Sequence, residues 1–234
     1  MSHTTPLWAD TLAAFDTETT GLDTSTARIV TATVVLIDAN GVVTERYDWM
    51  INPGVPIPAA AVAVHGISTE IAQRSGADPQ VAIAQIIERL QEMINRGFPL
   101  AVYNAPFDLS LLASEAARYG LDWLTGLDGV VDPLVIDKQV DRYRKGKRQL
   151  GTVAEHYGVT LENAHDAGAD AIATAHIAQA IAQRHAEKLP DGLSELHRAQ
   201  QQWAQEQAAS LQAYFDRIGR VGKPVDGTWP VRGA

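Results

Sequence analysis

The feature that most constrains this chain is a pair of carboxylates, Asp16 and Glu18, at the end of its first apolar run, residues 12–15. If that run is a buried strand that continues through Glu18, both side chains point to the same side, because strand residues alternate between faces. Neighbouring carboxylates repel each other, and each raises the cost of ionising the other. A hard divalent cation such as Mg²⁺ or Mn²⁺ between them removes that cost. The other interpretation is an exposed strand end that runs into a Thr-Gly turn.

The composition is typical of a soluble globular protein, with 46% hydrophobic and 20% charged residues among 234. A chain of this length suits one large domain, or one domain with an appended segment. It contains no apolar run of about 18 residues, which excludes a membrane span, and no secretion signal, so we expect a cytoplasmic location. Without cysteine, disulfides, thiolate zinc sites and cysteine nucleophiles are excluded. The net charge of −9 argues against a protein that coats nucleic acid, but not against an enzyme whose acids bind metal.

The first part of the chain predicts three antiparallel strands. After the opening strand, residues 28–38 are rich in Val, Ile and Thr, and Asn40-Gly41 is a hairpin signal before a return strand over residues 42–51. Residues 52–58 read as a Pro-containing loop. Ser68 or Thr69 is a candidate cap for a short helix that follows.

From residue 97 onward, predicted strands alternate with predicted helices. The strands cover residues 99–103 and 130–132. One helix is expected before this part, at residues 79–97, and the others at 106–120, 133–140, 150–157, 167–185 and 194–218. This alternation predicts an α/β sandwich with a mixed sheet, antiparallel in its first strands, and helices on its faces.

Further candidate site residues lie where helices begin. Asp108 is expected in the first turn of the helix that follows a core strand. The late Ala-rich helix offers His165 and Asp170, which face one site only if the helix begins between them, and Asp166 is a plausible N-cap for such a start. A histidine near a metal site is a natural general base at neutral pH.

Three ordered motifs resemble the DEDD superfamily of 3′→5′ exonucleases, which includes ribonuclease T and the proofreading subunit of bacterial DNA polymerase III. The first motif is matched by residues 16–22, the second by residues 104–108, and the third by His165 with Asp170. One branch of the superfamily has Tyr where this chain has Asp166, so the chain resembles the His branch, DEDDh. The resemblance covers about residues 10–185, and residues 64–67 also resemble a family feature.

The resemblance implies a ribonuclease H-like three-layer sandwich with a five-stranded mixed sheet. It implies an exonuclease domain over residues 8–188, followed at 189–234 by a C-terminal helix and a tail containing Gly and Pro. Two divalent cations, Mg²⁺ or Mn²⁺, would be held by Asp16, Glu18, Asp108 and Asp170. His165 would complete the catalytic set by deprotonating the attacking water. The substrate contacts that the resemblance implies are Thr19, Gly21, Leu22, His65, Asn104 and Phe107.

The implied activity is metal-dependent hydrolysis of phosphodiester bonds at DNA 3′ ends, with release of 5′-mononucleotides, in proofreading or repair. Single-stranded DNA is the favoured substrate. An exoribonuclease for RNA 3′ ends or short oligonucleotides is the alternative, since the motifs do not reveal contacts to a 2′-hydroxyl. A module that binds nucleic acid without cutting it is a third interpretation, which the presence of all five catalytic residue types disfavours.

Several features of the sequence are open to two interpretations. Six basic residues and one acid lie between Lys138 and Gln149, either as a track for phosphates or as a solvated surface. Leu22 and Phe107 are either core residues or substrate contacts. Asp132 and Asp137 are expected to cap or decorate a helix, and His176 to be structural. Residues 190–234 either pack across the domain or dock a DNA polymerase or repair partner.

Overall fold

One mixed sheet of five strands forms the centre of the computed structural model, which describes residues 5–161 and 164–232. The strands are β1 (Leu12–Thr19), β2 (Ile29–Ile37), β3 (Val43–Met50), β4 (Leu100–Ala101) and β5 (Val130–Val131). Their order in the sheet is β3-β2-β1-β4-β5, with β1, β2 and β3 antiparallel to one another and β4 and β5 parallel to β1. The predicted mixed sheet is therefore confirmed, although β4 is shorter than the predicted 99–103.

Eight α-helices accompany the sheet within the described residues. They are α1 (Ala59–His65), α2 (Thr69–Ser75), α3 (Pro79–Asn95), α4 (Ala105–Tyr119), α5 (Pro133–Val140), α6 (Leu150–Tyr157), α7 (Ala167–Arg184) and α8 (Leu193–Arg217). Ser68 caps α2 by accepting a hydrogen bond from the Ile71 N–H, as predicted. The pattern did not predict α1, because its N-cap is Pro58, which offers no capping side chain. None of these described helices has the length and apolar character that a membrane crossing requires.

The two faces of β1 carry two separate parts of the core. Ala13 and Phe15 belong to a cluster that includes side chains of α3 and α4. Leu12 and Ala14, which alternate with them, belong to a second cluster dominated by α7. The sheet therefore lies between two helical layers, and residues further along β1 continue toward one layer or the other.

The β2–β3 hairpin confirms the predicted turn and explains His176. Gly41 has φ of 76°, a left-handed conformation that Gly adopts without the steric cost of a side chain. The Nε2 atom of His176, on α7, lies 2.9 Å from the Gly41 carbonyl oxygen. His176 thus joins the hairpin to α7 and has the structural role that the sequence predicted.

The first half of α8 packs against the outer edge of β5. The Val130 N–H donates to Nδ1 of His197 at 3.2 Å, and the Gln200 side-chain amide donates to the Val130 carbonyl at 2.9 Å. Leu196 is completely buried beside them, whereas Leu211, in the second half of the helix, is 43% exposed. These side chains occupy backbone groups that an edge strand otherwise leaves open.

The packing of α8 predicts different costs for two identical substitutions. Leu196→Ala should lower the free energy of unfolding by about 2–5 kcal/mol, because it removes buried methyl groups and leaves a cavity. Leu211→Ala, the matched control in the same helix, should cost about 1 kcal/mol or less. Urea denaturation of both variants measures the difference. Equal, small costs would contradict the docking of α8 on the sheet.

Candidate active site

The C-terminal end of β1 is where three elements bring acidic side chains together. Asp16 and Glu18 continue the face of β1 that packs on α7, and a β-bulge follows Glu18. The parallel strand β4 ends beside β1, so α4 begins at the same end of the sheet and carries Asp108 in its first turn. Asp170 lies in the first turn of α7. The predicted positions of these four acids at strand ends and helix starts are confirmed.

Thr17 links the two faces of β1. It lies between Asp16 and Glu18 and therefore points toward α4. Its hydroxyl donates a hydrogen bond to Oδ1 of Asp108 at 2.5 Å, and both residues are buried. Thr17 was not among the predicted site residues. The sequence feature that could have identified it is a hydroxyl side chain between the two acids of the motif, on the opposite face of the strand.

The start of α7 places His165 and Asp170 side by side. Asp166 is the N-cap, and its carboxylate accepts a hydrogen bond from the Ala169 N–H at 2.9 Å, as predicted. His165 precedes the helix with φ of 71°, and its backbone N–H donates to Oδ2 of Asp170 at 3.3 Å. Glu18, His165 and Asp170 each offer a ligand atom, and these atoms all lie within 4.8 Å of one another. The part of the predicted loop at Asn163 lies outside the described residues.

The grouped carboxylates hold protons more strongly than isolated ones. Burial, with the charges of Asp170 and Asp108 next in importance, raises the pKa of Glu18 to about 8. Burial also raises the pKa of Asp108 to about 7, against the opposing hydrogen bond from Thr17. The pKa of Asp16 is raised well above its ordinary value by burial and by the charge of Asp108. The cause throughout is negative charge confined where water is scarce.

This cluster fits a divalent cation. Oδ1 of Asp170 is buried and has no hydrogen-bond partner among the described residues, so it is an acceptor without a donor. Carboxylate oxygens are the ligands that Mg²⁺ and Mn²⁺ prefer. A cation at the cluster would satisfy that oxygen and offset the burial and the repulsion that together raise the pKa values of Asp16 and Glu18.

The predicted substrate contacts fall around this cluster in two groups. His65, the last residue of α1, lines a cavity of about 270 Å³ together with Glu18 and His165. Leu22 follows β1 and is 89% exposed, so the interpretation of Leu22 as a core residue is wrong. An apolar side chain so exposed beside a polar cluster is available to contact a ligand.

The remaining predicted contacts lie on the turn after β1 and at the start of α4. The Thr19 hydroxyl donates to the Gly21 carbonyl at 2.8 Å, which fixes the turn. Asn104 precedes α4 with φ of 60°, in the left-handed region. Phe107 is half-buried in the first turn of α4, one residue before Asp108.

The basic stretch is divided between internal and surface roles. Arg144 and Arg148 both donate to Oδ2 of Asp137, at 2.6 and 2.5 Å, and the Tyr157 hydroxyl donates to its Oδ1 at 3.0 Å. Asp137 is completely buried, so its predicted place capping or decorating a helix is wrong: two arginines from the following segment neutralise it. The exposed basic side chains of this stretch are Arg142, Lys145 and Lys147, whereas Lys138 is half-buried.

The raised pKa values predict an unusual pH dependence of stability. Because the folded protein holds protons on Glu18 and Asp108 that the unfolded chain releases, its stability should fall as pH rises from about 4.5, the ordinary pKa of Glu, to about 8. Glu18→Gln should flatten this decline in metal-free protein. Each kcal/mol of relieved repulsion corresponds to about 2–4 °C in melting temperature.

Thermal melts in a chelator at pH 6 and pH 8 measure this effect. The exposed Glu88, replaced by Gln, is the matched control and should leave the decline unchanged. Added Mg²⁺ or Mn²⁺ should raise the melting temperature of the unaltered protein at pH 8 more than that of Glu18→Gln. Identical declines in all three proteins would contradict the electrostatic account.

Solved structures with this fold include E. coli exonuclease I in complex with a dA16 oligonucleotide, at a TM-score of 0.63 and 21% identity. The zinc-bound form of the E. coli exonuclease I–single-stranded DNA complex matches at a TM-score of 0.64 and 21% identity. In both cases the similarity covers 76% of this chain and 42% of the other. At this identity the likeness shows the fold, which is the predicted ribonuclease H-like sandwich.

Relatives that are similar in sequence show more than the fold. The DNA polymerase III subunit epsilon-like protein of Rhodobacter capsulatus is 35% identical over 175 residues, which are 73% of this chain and 23% of that protein. The PolC-type DNA polymerase III of Listeria monocytogenes is 30% identical over 168 residues, 72% of this chain and 11% of that protein. This chain thus spans a small share of either relative. The RNase T exonuclease family matches residues 13–178. The chain therefore belongs to this exonuclease family, within the DEDD superfamily of 3′→5′ exonucleases.

Proposed function

We propose that this chain is a metal-dependent exonuclease that hydrolyses phosphodiester bonds at DNA 3′ ends and releases 5′-mononucleotides. The observation that carries the proposal is the convergence of four carboxylates and His165 at one end of β1. Carboxylates that repel one another in a half-buried site are suited to hold cations that neutralise phosphate charge.

In this proposal Asp16, Glu18, Asp108 and Asp170 hold two divalent cations, Mg²⁺ or Mn²⁺. When bound, such ions supply Lewis-acid stabilisation of charge on the attacking and leaving oxygens of a phosphodiester. Thr17 orients Asp108 through its hydroxyl, and the His165 backbone N–H orients Asp170. The protein thus restricts both carboxylates before any ligand arrives.

His165 is the proposed general base. Its imidazole is exposed, on the loop that leads into α7, and one of its ring nitrogens lies near the carboxylates of Glu18 and Asp170. A neutral imidazole in this place takes a proton from the attacking water. Because His165 is exposed, the proton then passes to bulk solvent.

The end of the nucleic acid would be held by side chains on three sides of the cluster. Leu22 offers an apolar contact to the terminal base, and Phe107 offers a half-buried ring at the start of α4. His65 lines the cavity beside Glu18 and His165, and its Nδ1 accepts a hydrogen bond from the Ile67 N–H at 3.1 Å. Burial lowers the pKa of His65, which favours its neutral form as a contact.

DNA is the proposed substrate because the similar proteins point to it. Two relatives carry the name DNA polymerase III, and the structural neighbours include complexes with DNA oligonucleotides. We infer a role in proofreading or repair from the same likeness, with a DNA polymerase or repair protein as partner. The cytoplasmic location stays a prediction.

Removal of either type of catalytic group should slow cleavage strongly. His165→Ala is expected to lower kcat by about 10²- to 10⁴-fold, the usual contribution of a general base. Asp16→Asn should lower kcat at least as much, because it removes a carboxylate whose pKa is raised by burial and by the charges of the neighbouring acids, as suits a metal ligand. The exposed Asp122, replaced by Asn, is the control and should keep full activity.

The assay follows 5′-labelled single-stranded DNA and RNA of equal sequence with Mg²⁺, Mn²⁺ or chelator. We expect a ladder that shortens from the 3′ end, needs metal, and forms faster on DNA. Faster shortening of RNA would replace DNA by RNA as the substrate. Undiminished activity in both His165→Ala and Asp16→Asn would refute the site.

Leu22 gives a test of the substrate contact alone. Leu22→Ala should leave the free energy of unfolding within about 0.5 kcal/mol, because the side chain is exposed. It should raise KM for oligonucleotides about fivefold, as expected from the loss of a few buried apolar groups in the complex. Leu7, also exposed (80%), provides the same substitution away from the site. An equal KM in both variants would show that Leu22 does not contact the substrate.

A further inference from the structure

The carboxylate of Asp132 connects three separate segments at the end of β5. It is completely buried and accepts hydrogen bonds from the backbone N–H groups of Asn104 and Ala105, each at 3.0 Å. It caps α5 through the Leu134 N–H at 3.0 Å, the helix-capping role that was predicted for it. A further donor is the indole N–H of Trp229, at 3.1 Å, from the C-terminal tail.

Two of those donors define where α4 begins. Asn104 holds a left-handed conformation, which is uncommon for a residue other than Gly and requires support from its surroundings. The α4 N-cap has no side-chain hydrogen bond of its own. Because Asp108 lies in the first turn of α4, the direction of its carboxylate depends on how Asn104 and Ala105 are held.

The C-terminal tail is anchored on both sides of Trp229. Before it, on α8, Oε1 of Gln200 accepts a hydrogen bond from the backbone N–H of Asp132 at 2.6 Å. After it, the Arg232 N–H donates to the hydroxyl of Ser110, on α4, at 2.7 Å. Trp229 itself is buried in the core cluster on the α4 side of the sheet. The tail therefore contacts both the carboxylate that holds Asn104 and the helix that carries Asp108.

We propose that the C-terminal tail around Trp229 is a positioning element of the active site, in which the Trp229 indole, through Asp132, fixes the backbone of Asn104 and Ala105 and so the Asp108 carboxylate. This segment lies beyond residues 13–178, which match the family. Its contribution therefore comes from this chain's own C-terminal sequence. The consequence for catalysis rests on the proposed function, whereas the effect on the Asn104 backbone does not.

Trp229→Phe removes the indole N–H and keeps an aromatic ring. We expect faster hydrogen–deuterium exchange at Asn104 and Ala105, because their acceptor loses the donor that holds it in place. We expect kcat on single-stranded DNA, measured well below the melting temperature, to fall about tenfold with KM within about twofold, as for a small displacement of a reacting group. Trp203→Phe is the matched control.

Trp203 makes the control informative because it lies on the same C-terminal segment. Its indole makes no hydrogen bond within residues 5–161 and 164–232, and it packs against both core clusters. Trp203→Phe should lower the melting temperature without changing kcat or exchange at Asn104. A purely structural role for Trp229 would give the same pattern, and that result would overturn the proposal.

Two further outcomes can be distinguished from a failure of the proposal. If the unaltered protein cleaves no substrate, the proposed function fails, and the exchange data alone decide whether Trp229 holds Asn104. If Trp229→Phe does not fold, Ser110→Ala replaces it, since that variant frees the Arg232 end of the tail and leaves Asp132 intact. Ser110→Ala should raise exchange at Asn104 by a smaller factor, and unchanged exchange in this variant would overturn the proposal.

Discussion

Electrostatic repulsion among four carboxylates is the constraint on which the rest of this structure depends. Asp16 and Glu18 extend from one face of β1, and Asp108 and Asp170 approach from helices on opposite layers. The protein keeps these groups together although burial and mutual charge oppose their ionisation. The free-energy cost of this charge arrangement must be offset by favourable packing elsewhere. Here that packing is in the two core clusters, one on each side of the sheet.

Hydrogen bonds around the cluster fix the orientation of carboxylates that repel one another. Thr17 restrains Asp108 from within the strand, and the backbone of His165 restrains Asp170 from the loop before α7. Asp132 restrains the start of α4 without belonging to the cluster. Each restraint joins segments that are far apart in the chain except the contact between His165 and Asp170. The site is therefore a product of tertiary packing, assembled on short local motifs.

Local patterns predicted the strands, most helices and the positions of the acids, because alternation, capping and turn chemistry act over a few residues. Ser68 and Asp166 cap the helices as expected. What escaped prediction depended on distant partners. The burial of Asp137 requires two arginines beyond the end of its helix, and one of the donors to Asp132 is a tryptophan 97 positions away. No short-range pattern contains that information.

The sealing of β5 by His197 and Gln200 has a consequence for self-association. Among the described residues it leaves the sheet with one open side, that of β3, which is paired only at its end, where the Met50 carbonyl accepts from the Ala77 N–H. Exposed and half-exposed residues alternate along β3, and Glu45, Arg46 and Asp48 lie among them. A sheet open at both sides can add copies without limit, whereas one open at a single side can join only one other copy. Strand-to-strand contact between molecules of this protein would therefore stop at a pair and could not grow into a fibre.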